Sequence, residues 1–483
     1  MIRRYYATKD NSITNAYQEN LTTRATGSNM GASDVLEVFS IYGQESSASS
    51  ELMRTIIQFD TTKLTSDRAA GKVPASGSVS WYLKMFNAPH SQTVPSEFDL
   101  IVSAVSSSWE EGYGLDMDYY EDLTKDGIGS NWIQARQSAS ADNGQWLAEG
   151  GDYLTDTSSS FTASFSTGLE DMDLDVTTLV EQWVNSDGNV LGSKGNYGFG
   201  IRLPDATETT TRSFFTKKFF GRDSEFFFQR PVIEARWDSS RQDDRGAFYA
   251  SSSLAPAADN LNSLFIHNSI RGRLQNIPTL GSNDIYVNLY DSLGGTKLAG
   301  AFTGSSPSTG IYKCDVFLET TSSAIYDVWF SGSNEYHSGT IAVKTFASTA
   351  YNPESAYILN MPRLRKEYRK DQTHRLDLYA RERDWSPNIY TVAVQASIPS
   401  LIIPSASFQV RRSIDDFVVV PYGTGSTTIA AHTALSYDVS GNYFNLDTTY
   451  LETGFLYEIQ YCFYDEENGW EEQPYRFKFR VVD

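Results

Sequence analysis

The arrangement in this sequence nearest to a hydrolytic site is Trp109-Glu110-Glu111, two carboxylates beside an aromatic ring. Glycosidases use a pair of carboxylates roughly 5–10 Å apart, one on each side of the scissile bond. Neighbouring residues of a strand point to opposite faces, so Glu110 and Glu111 are poorly placed to flank one glycosidic bond. No G-x-S-x-G pentapeptide is present to lift a serine nucleophile onto a sharp turn. His90, His267, His337, His374 and His432 show no H-x-x-H, H-E-x-x-H or H-x-H spacing, so a zinc centre would have to gather ligands from separate loops. Gly423-Thr424-Gly425-Ser426-Thr427-Thr428 is rich in glycine but lacks the lysine of a phosphate-binding loop. Cys314 and Cys462, the two cysteines, are too few for a disulfide framework or a thiolate cluster, and two buried free thiols are expected. No catalytic residue, metal ligand or cofactor is therefore assigned.

Binding is better served. Trp109, Trp132 and Trp146 are flat apolar rings of the kind that stack on sugar faces, and they are the candidate glycan platform; core or loop-anchoring tryptophans are the competing expectation. The acidic stretch from Asp116 to Gly127 offers many oxygens, but it lacks the glycine and glutamate positions of an EF-hand loop. A solvated loop is expected there, with structural calcium as the alternative. Phe214, Phe215, Phe219 and Phe220, followed by Phe226-Phe227-Phe228, crowd one short stretch. A strand buries alternate positions, so some of these rings must face a second layer or another subunit. The segment containing Arg363, Arg365 and Lys366 is the basic run of an acidic chain, suited to docking on an acidic neighbour or to serving as a solvated link.

The charge balance narrows the partners. With 39 Lys plus Arg against 60 Asp plus Glu, the formal net charge is −21, which repels nucleic-acid phosphates and anionic membranes alike. The 483 residues suffice for two to four domains. Met1-Ile2-Arg3-Arg4-Tyr5-Tyr6 opens without an apolar leader-like run, so no export signal is read there, and no stretch has the length of a membrane-spanning helix.

The elements that must carry these residues are strands. Aromatic residues make up 13% of the chain, a richness that favours pleated, half-buried surfaces. Val79, Trp81, Leu83 and Met85 alternate with polar or exposed positions. So do Ile285, Val287 and Leu289, and Tyr457, Ile459, Tyr461 and Phe463. Two helices are expected, Val176 to Trp183 opened by Asp175, and Leu364 to Tyr379. The fold class is all-β, with an N-terminal jelly-roll sandwich over residues 1–238 and immunoglobulin-like sandwiches over 246–350 and 355–483. A charged link, Asp238 to Gly246, follows the first.

Within the first span, Asn29-Met30-Gly31-Ala32-Ser33-Asp34-Val35-Leu36-Glu37-Val38, Arg54 with Ile57-Gln58-Phe59-Asp60, Trp109-Glu110-Glu111-Gly112, Asp175–Val184 and Tyr197–Leu203 follow one another in order. This set resembles the DNRLRE family of jelly-roll, carbohydrate-binding-module-like domains. The stretch from Met117 to Asp156 departs from the pattern. The resemblance implies a non-catalytic module, found on bacterial surfaces or in phage particles. Together with the leaderless start and the texture of the last span, the whole chain resembles a virion structural protein of a tailed bacteriophage. Such a protein is made in the host cytoplasm and partners with itself and other virion proteins. A receptor- or glycan-binding adhesin reading host surface glycan is the alternative, and a polysaccharide depolymerase is the third reading.

Overall fold

The strand at Ser80–Met85 alternates as its sequence requires, with Trp81, Leu83 and Met85 fully buried and the intervening residues partly exposed. The same period organises most of the chain. The computed structural model describes residues 1–44, 49–90, 94–115, 129–136, 144–185, 190–210, 212–280, 284–344, 356–385, 389, 400–425, 431–465 and 468–483. The acidic stretch considered for calcium, Asp116 to Gly127, lies wholly outside the described residues. The chain is all-β and forms two compact units, Met1–Trp237 and Asp238–Asp483.

The first unit is a sandwich of ten strands: β1 Ile2–Thr14, β2 Val35–Gln44, β3 Ser49–Phe59, β4 Ser80–Met85, β5 Phe98–Ala104, β6 Ser160–Phe165, β7 Met172–Asp175, β8 Phe199–Arg202, β9 Phe214–Phe220 and β10 Val232–Arg236. One layer runs β1-β10-β4-β7 and the other β1-β3-β8-β5-β6, with β2 beside β3 and β9 beside β2. β1 belongs to both layers: Ile2–Tyr6 pairs with β10 and Ala7–Thr14 pairs with β3, the switch falling at an irregularity between Ala7 and Lys9. Neighbours distant in sequence, such as β1 beside β10 and β8 between β3 and β5, give the crossed connectivity of a jelly roll. Its core takes Trp81 and Ile233 from one layer and Ile57, Val102 and Phe199 from the other.

The helices explain themselves locally. α1, Thr61–Ala69, is capped by Asp60, whose carboxylate accepts from the backbone N–H of Thr62 at 2.8 Å. This helix was not expected from the apolar periodicity, because only Leu64 on it is a buried hydrophobe. α2, Thr177–Val184, is the helix expected after Asp175, which accepts from the backbone N–H of Thr177 at 2.9 Å. Val176, Val180 and Trp183 lie on its buried side. Gly31 occupies a close approach: a Cβ there would sit 2.1 Å from the carbonyl oxygen of Glu111.

The second unit contains two sets of sheets. In the first, Phe248–Tyr249, Asn334–Lys344, Ala324–Ser331, Tyr286–Tyr290 and Lys297–Thr303 form one sheet in that order. Asn262–His267, Ile311–Val316 and Ser305–Ser308 form the other. In the second set, Glu367–Arg369, Phe477–Val482, Leu456–Asp465, Ala406–Arg412 and Phe417–Val420 face Tyr357–Asn360, Thr373–Glu382, Gly441–Asp447 and Ser436–Asp438. Each set has a short early strand lying parallel to its last strand, Phe248–Tyr249 in the first and Glu367–Arg369 in the second, where Tyr357–Asn360 precedes it as an added A strand. The other strand pairings are antiparallel. Lettered in chain order, both sets read A′-G-F-C-C′ against a layer containing B-E-D, the immunoglobulin arrangement. The two sandwiches are thus of one type, which no repeat in the sequence discloses. Trp329 is fully buried in the first; Phe408 and Phe444 stack at 4.0 Å between the layers of the second.

Two expectations change. Leu364 to Tyr379 is not a helix but the turn and strands around Glu367–Arg369 and Thr373–Glu382. Asp371 takes a φ of 61° between them, and Leu376, Leu378 and Ala380 alternate inward, which is strand periodicity. In Leu456–Asp465 the alternation is overridden, because Glu458, Gln460 and Cys462 are buried as well as Tyr457, Ile459 and Tyr461. Cys314 and Cys462 are both free and buried.

Candidate functional site

Asp238 to Gly246 reads as a spacer in sequence, yet its backbone is stitched into the second unit. Gln242 bridges Tyr437 in parallel, the Arg241 N–H donates to Ser436 Oγ at 2.9 Å, and the Tyr437 hydroxyl donates to Asp244 Oδ1 at 2.7 Å. Arg245 runs inward to Asp327, a fully buried carboxylate, at 2.5 Å, and also donates to the carbonyl of Phe265. Trp329 Nε1 holds the same carboxylate oxygen at 2.8 Å. A charged segment is pinned here because its charges find partners in the dry interior.

The pinned segment walls a recess of about 680 Å³. Arg241 and His267 face it together with Arg375, Tyr437, Asp438 and Tyr443. Arg375 lies 3.6 Å over the ring of Tyr443 and reaches Asp377 and Asp438, each at 2.8 Å. Burial pulls the Arg375 guanidinium down, but hydrogen bonds to Asp377 and Asp438 hold it above its ordinary value. Burial, then the charges of Arg241 and Arg245, push His267 below the ordinary imidazole value, so it is a neutral donor and acceptor at neutral pH. Burial also raises the Tyr443 hydroxyl, keeping it protonated. Among the described residues the Arg241 guanidinium makes no ion pair, so it is the cation of the recess open to a ligand. The arrangement suits a polyhydroxylated ligand with an acidic group: planar donors and acceptors for hydroxyls, tyrosine rings for apolar faces and Arg241 for the anion.

The candidate residues from sequence lie elsewhere. Trp109, Trp132 and Trp146 do not form a solvent-facing platform; they are 3%, 4% and 6% exposed and pack with Ile13 and Ile56 on the outer face of the β3 layer. Trp109 and Trp146 donate to the carbonyls of Tyr197 and Asn131, and Arg54 sits 5.0 Å over Trp132. The rings hold the segment after β5 down over the sheet, covering a face that a sugar would otherwise reach. Of the phenylalanines, Phe214 is 52% exposed, Phe215 packs partly against the core, and Phe219 and Phe220 are buried. Arg363, Arg365 and Lys366 are exposed, between Tyr357–Asn360 and Glu367–Arg369. Glu111 is engaged structurally, accepting from the N–H of Asp10 at 2.8 Å and from Arg222 at 3.1 Å. Among the described residues no cluster of three or more His, Cys, Asp or Glu is placed to hold a metal, and no helix is long and apolar enough to cross a membrane. The recess residues were missed because they come from six separated stretches; the density of charge in Asp238–Gly246 was the available signal.

No family model matches the sequence, and no curated protein matches it. Solved structures with some likeness include a chimeric titin Z1Z2-Z1Z2 tandem, 10% identical over 46% of this chain and 90% of that one, with a TM-score of 0.15. The Yersinia pseudotuberculosis adhesin InvE is 10% identical over 48% of this chain and 56% of that one, with a TM-score of 0.16. Activated alpha-2-macroglobulin from Escherichia coli is 9% identical over 89% of this chain and 24% of that one, with a TM-score of 0.16. At these scores the likenesses carry no argument; the fold class rests on the strand order itself.

Proposed function

We propose that this chain is a non-enzymatic structural protein of a tailed-bacteriophage particle, assembling through contacts between β-domains. The observation that carries the assembly reading is the exposed basic strip of Arg363, Arg365 and Lys366 on a chain of net charge −21. Arg363 reaches Asp377 at 3.1 Å, while Arg365 and Lys366 make no ion pair among the described residues. A strip of this sign opposes the prevailing surface charge, so a second copy or an acidic particle protein is its complementary partner. The phage assignment itself rests on the resemblance of the first span. Reversing the strip with Arg363→Glu, Arg365→Glu and Lys366→Glu is expected to weaken self-association at least about tenfold, equivalent to about 1.4 kcal/mol. Sedimentation equilibrium at low and high salt reads the effect. A wild-type chain that stays single at high concentration, or association indifferent to both charge reversal and salt, would refute the strip's role. Mass spectrometry of purified particles tests the location.

The recess favours a second reading, an adhesin that takes an acidic glycan. Arg241→Ala is then expected to lower affinity for uronate-containing oligosaccharides by about ten- to a hundredfold, the range of a charged hydrogen bond of about 1.5–3 kcal/mol. Neutral oligosaccharides should change far less. Calorimetry with both sugar classes measures this, and equal loss for both would remove Arg241 as the acid-reading group.

A further inference from the structure

The strand β9 reads Phe-Phe-Thr-Lys-Lys-Phe-Phe, and the two-residue period puts Lys217 on the same face as Phe215 and Phe219. That face is the interior: Lys217 is fully buried, with its ammonium 4.8 Å from the Phe165 ring centre and 5.2 Å from that of Phe219. A lysine at a core position needs a reason, because desolvating its charge is costly.

Its surroundings are specific. Lys217 Nζ lies 2.7 Å from Asn87 Oδ1, 2.9 Å from the carbonyl of Gly168 and 2.7 Å from the carbonyl of Glu170. Asn87 is held in register opposite β9: Ala88 N–H donates to the Lys218 carbonyl and Phe220 N–H to the Phe86 carbonyl, both at 3.0 Å, with Asn87 facing Phe219. The Asn87 amide is therefore the diagonal neighbour of Lys217 across two paired segments, fixed by backbone rather than by a mobile loop. Asp171 accepts from the Asn87 N–H at 2.8 Å, and Glu170 carries a buried Oε2 with no hydrogen-bond partner. Amine and amide carbonyl are thus collected among apolar rings, with the partly buried Glu170 and the exposed Asp171 at the edge.

We propose that Lys217 and Asn87 are a modification site, joined by an intramolecular isopeptide bond that staples β9 to the segment following β4. The ammonium gives a proton to a neighbouring carboxylate, Glu170 or Asp171. The freed Nζ lone pair attacks Asn87 Cγ, the new C–N bond forms, and the bond to the amide nitrogen breaks. The attacking Nζ then gives up a second proton, which passes to the departing nitrogen so that it leaves as ammonia, and the proton held by the carboxylate converts this to ammonium. No oxidant, reductant or cofactor is consumed. Burial lowers the Lys217 pKa to about 8, with Glu170 and Asp171 opposing, so the ammonium predominates at neutral pH but releases its proton far more readily than an exposed lysine. Packing holds amine and carbonyl together, replacing a bimolecular encounter with a positioned one. Such a bond suits an assembly protein, because among the described residues β9 pairs with one strand, β2, and is otherwise tied by the short bridge at Phe86–Ala88 that the bond would reinforce.

Intact-mass spectrometry of the full denatured chain is expected to show a mass lower than the sequence by one ammonia. Digestion should yield one branched peptide containing both Asn87 and Lys217, with Lys217 resistant to trypsin. Ammonia also leaves when asparagine-glycine pairs cyclise, as at Asn143-Gly144 and Asn468-Gly469, so the branched peptide is the deciding product. Lys217→Ala should restore the full mass. Asn87→Asp, which would lose water instead, should give the same branched product as the native chain. Recovery of unlinked Asn87 and Lys217 peptides from correctly folded native protein would overturn the proposal and leave Lys217 as a buried ammonium satisfied by three acceptors.

Discussion

Replacing Arg245 with methionine is expected to destabilise the second unit by about 3–5 kcal/mol, because it leaves the buried carboxylate of Asp327 without its counter-charge. Asp327 is fully buried, and its other partner on Oδ2 is the neutral indole N–H of Trp329, which cannot neutralise it. The cost includes the carbonyl of Phe265, which also loses the Arg245 donor. Adding Asp327→Asn to Arg245→Met should recover much of the loss, since removing both charges avoids the isolated buried ion. Urea unfolding of the native, single and double variants provides the cycle. A single variant that loses less than about 1 kcal/mol would mean that Arg245 behaves as a surface residue, contrary to its inward path. The recess would change with it, because Arg245 is part of the segment that walls the opening.

The second large effect concerns the first unit and depends on pH. Glu234 is fully buried on β10, with Arg4 at 2.7 Å and Arg236 at 2.6 Å. Arg236 also reaches Asp173 at 2.8 Å and lies 4.0 Å over the Tyr82 ring. Burial raises the Glu234 pKa, but Arg4, Lys84 and Arg236 outweigh it and hold the carboxyl well below the usual range. A folded-state value below the unfolded one stabilises the protein at every pH above about 4.3, the ordinary glutamate value. That contribution fades as the pH falls from there toward the folded value. Glu234→Gln is therefore expected to cost about 3–5 kcal/mol at neutral pH, leaving buried cations uncompensated. The gap between native protein and variant should narrow progressively below about pH 4. Denaturation series from pH 7 to the acid limit test this; a gap that stays constant into acid would show that the carboxylate charge is not what the network uses.

Both networks bear on how such a protein assembles. In each, the buried charges belong to a strand or segment that joins distant parts of its unit: β10 lies between β1 and β4, and Asp238–Gly246 reaches across to Tyr437 and Asp327. Ion pairs of this kind are weak evidence for extra stability, since packed apolar residues often do as well. Their geometric demand is what pins the register of the elements that carry them. A rigid unit then presents its edges and its recess in one arrangement, which is what a binding or assembling protein requires.

Sequence alone determined the class of structure, because strand periodicity is a local property. Val79 to Met85 and Tyr457 to Phe463 alternate within a few residues, and each became a strand with the expected positions inside. The helix after Asp175 was equally legible from its buried side, although it begins at Thr177 with Val176 in the cap position, and Asp175 accepts from the Thr177 N–H from one residue further out. Leu364 to Tyr379 was misread because its short strands, separated by a turn at Asp371, mimic helical spacing when run together. The site was a different matter. Three tryptophans were visible as rings, but only packing decided that they face Ile13 and Ile56 rather than solvent. Arg241, His267, Arg375 and Tyr443 meet because sheet pairing brings distant stretches together, and no spacing along the chain encodes that meeting. Lys217 shows both halves: its interior face follows from the two-residue period, whereas Asn87 at 2.7 Å follows only from the register across strands. Periodicity tells which way a side chain points; tertiary structure decides what it finds there.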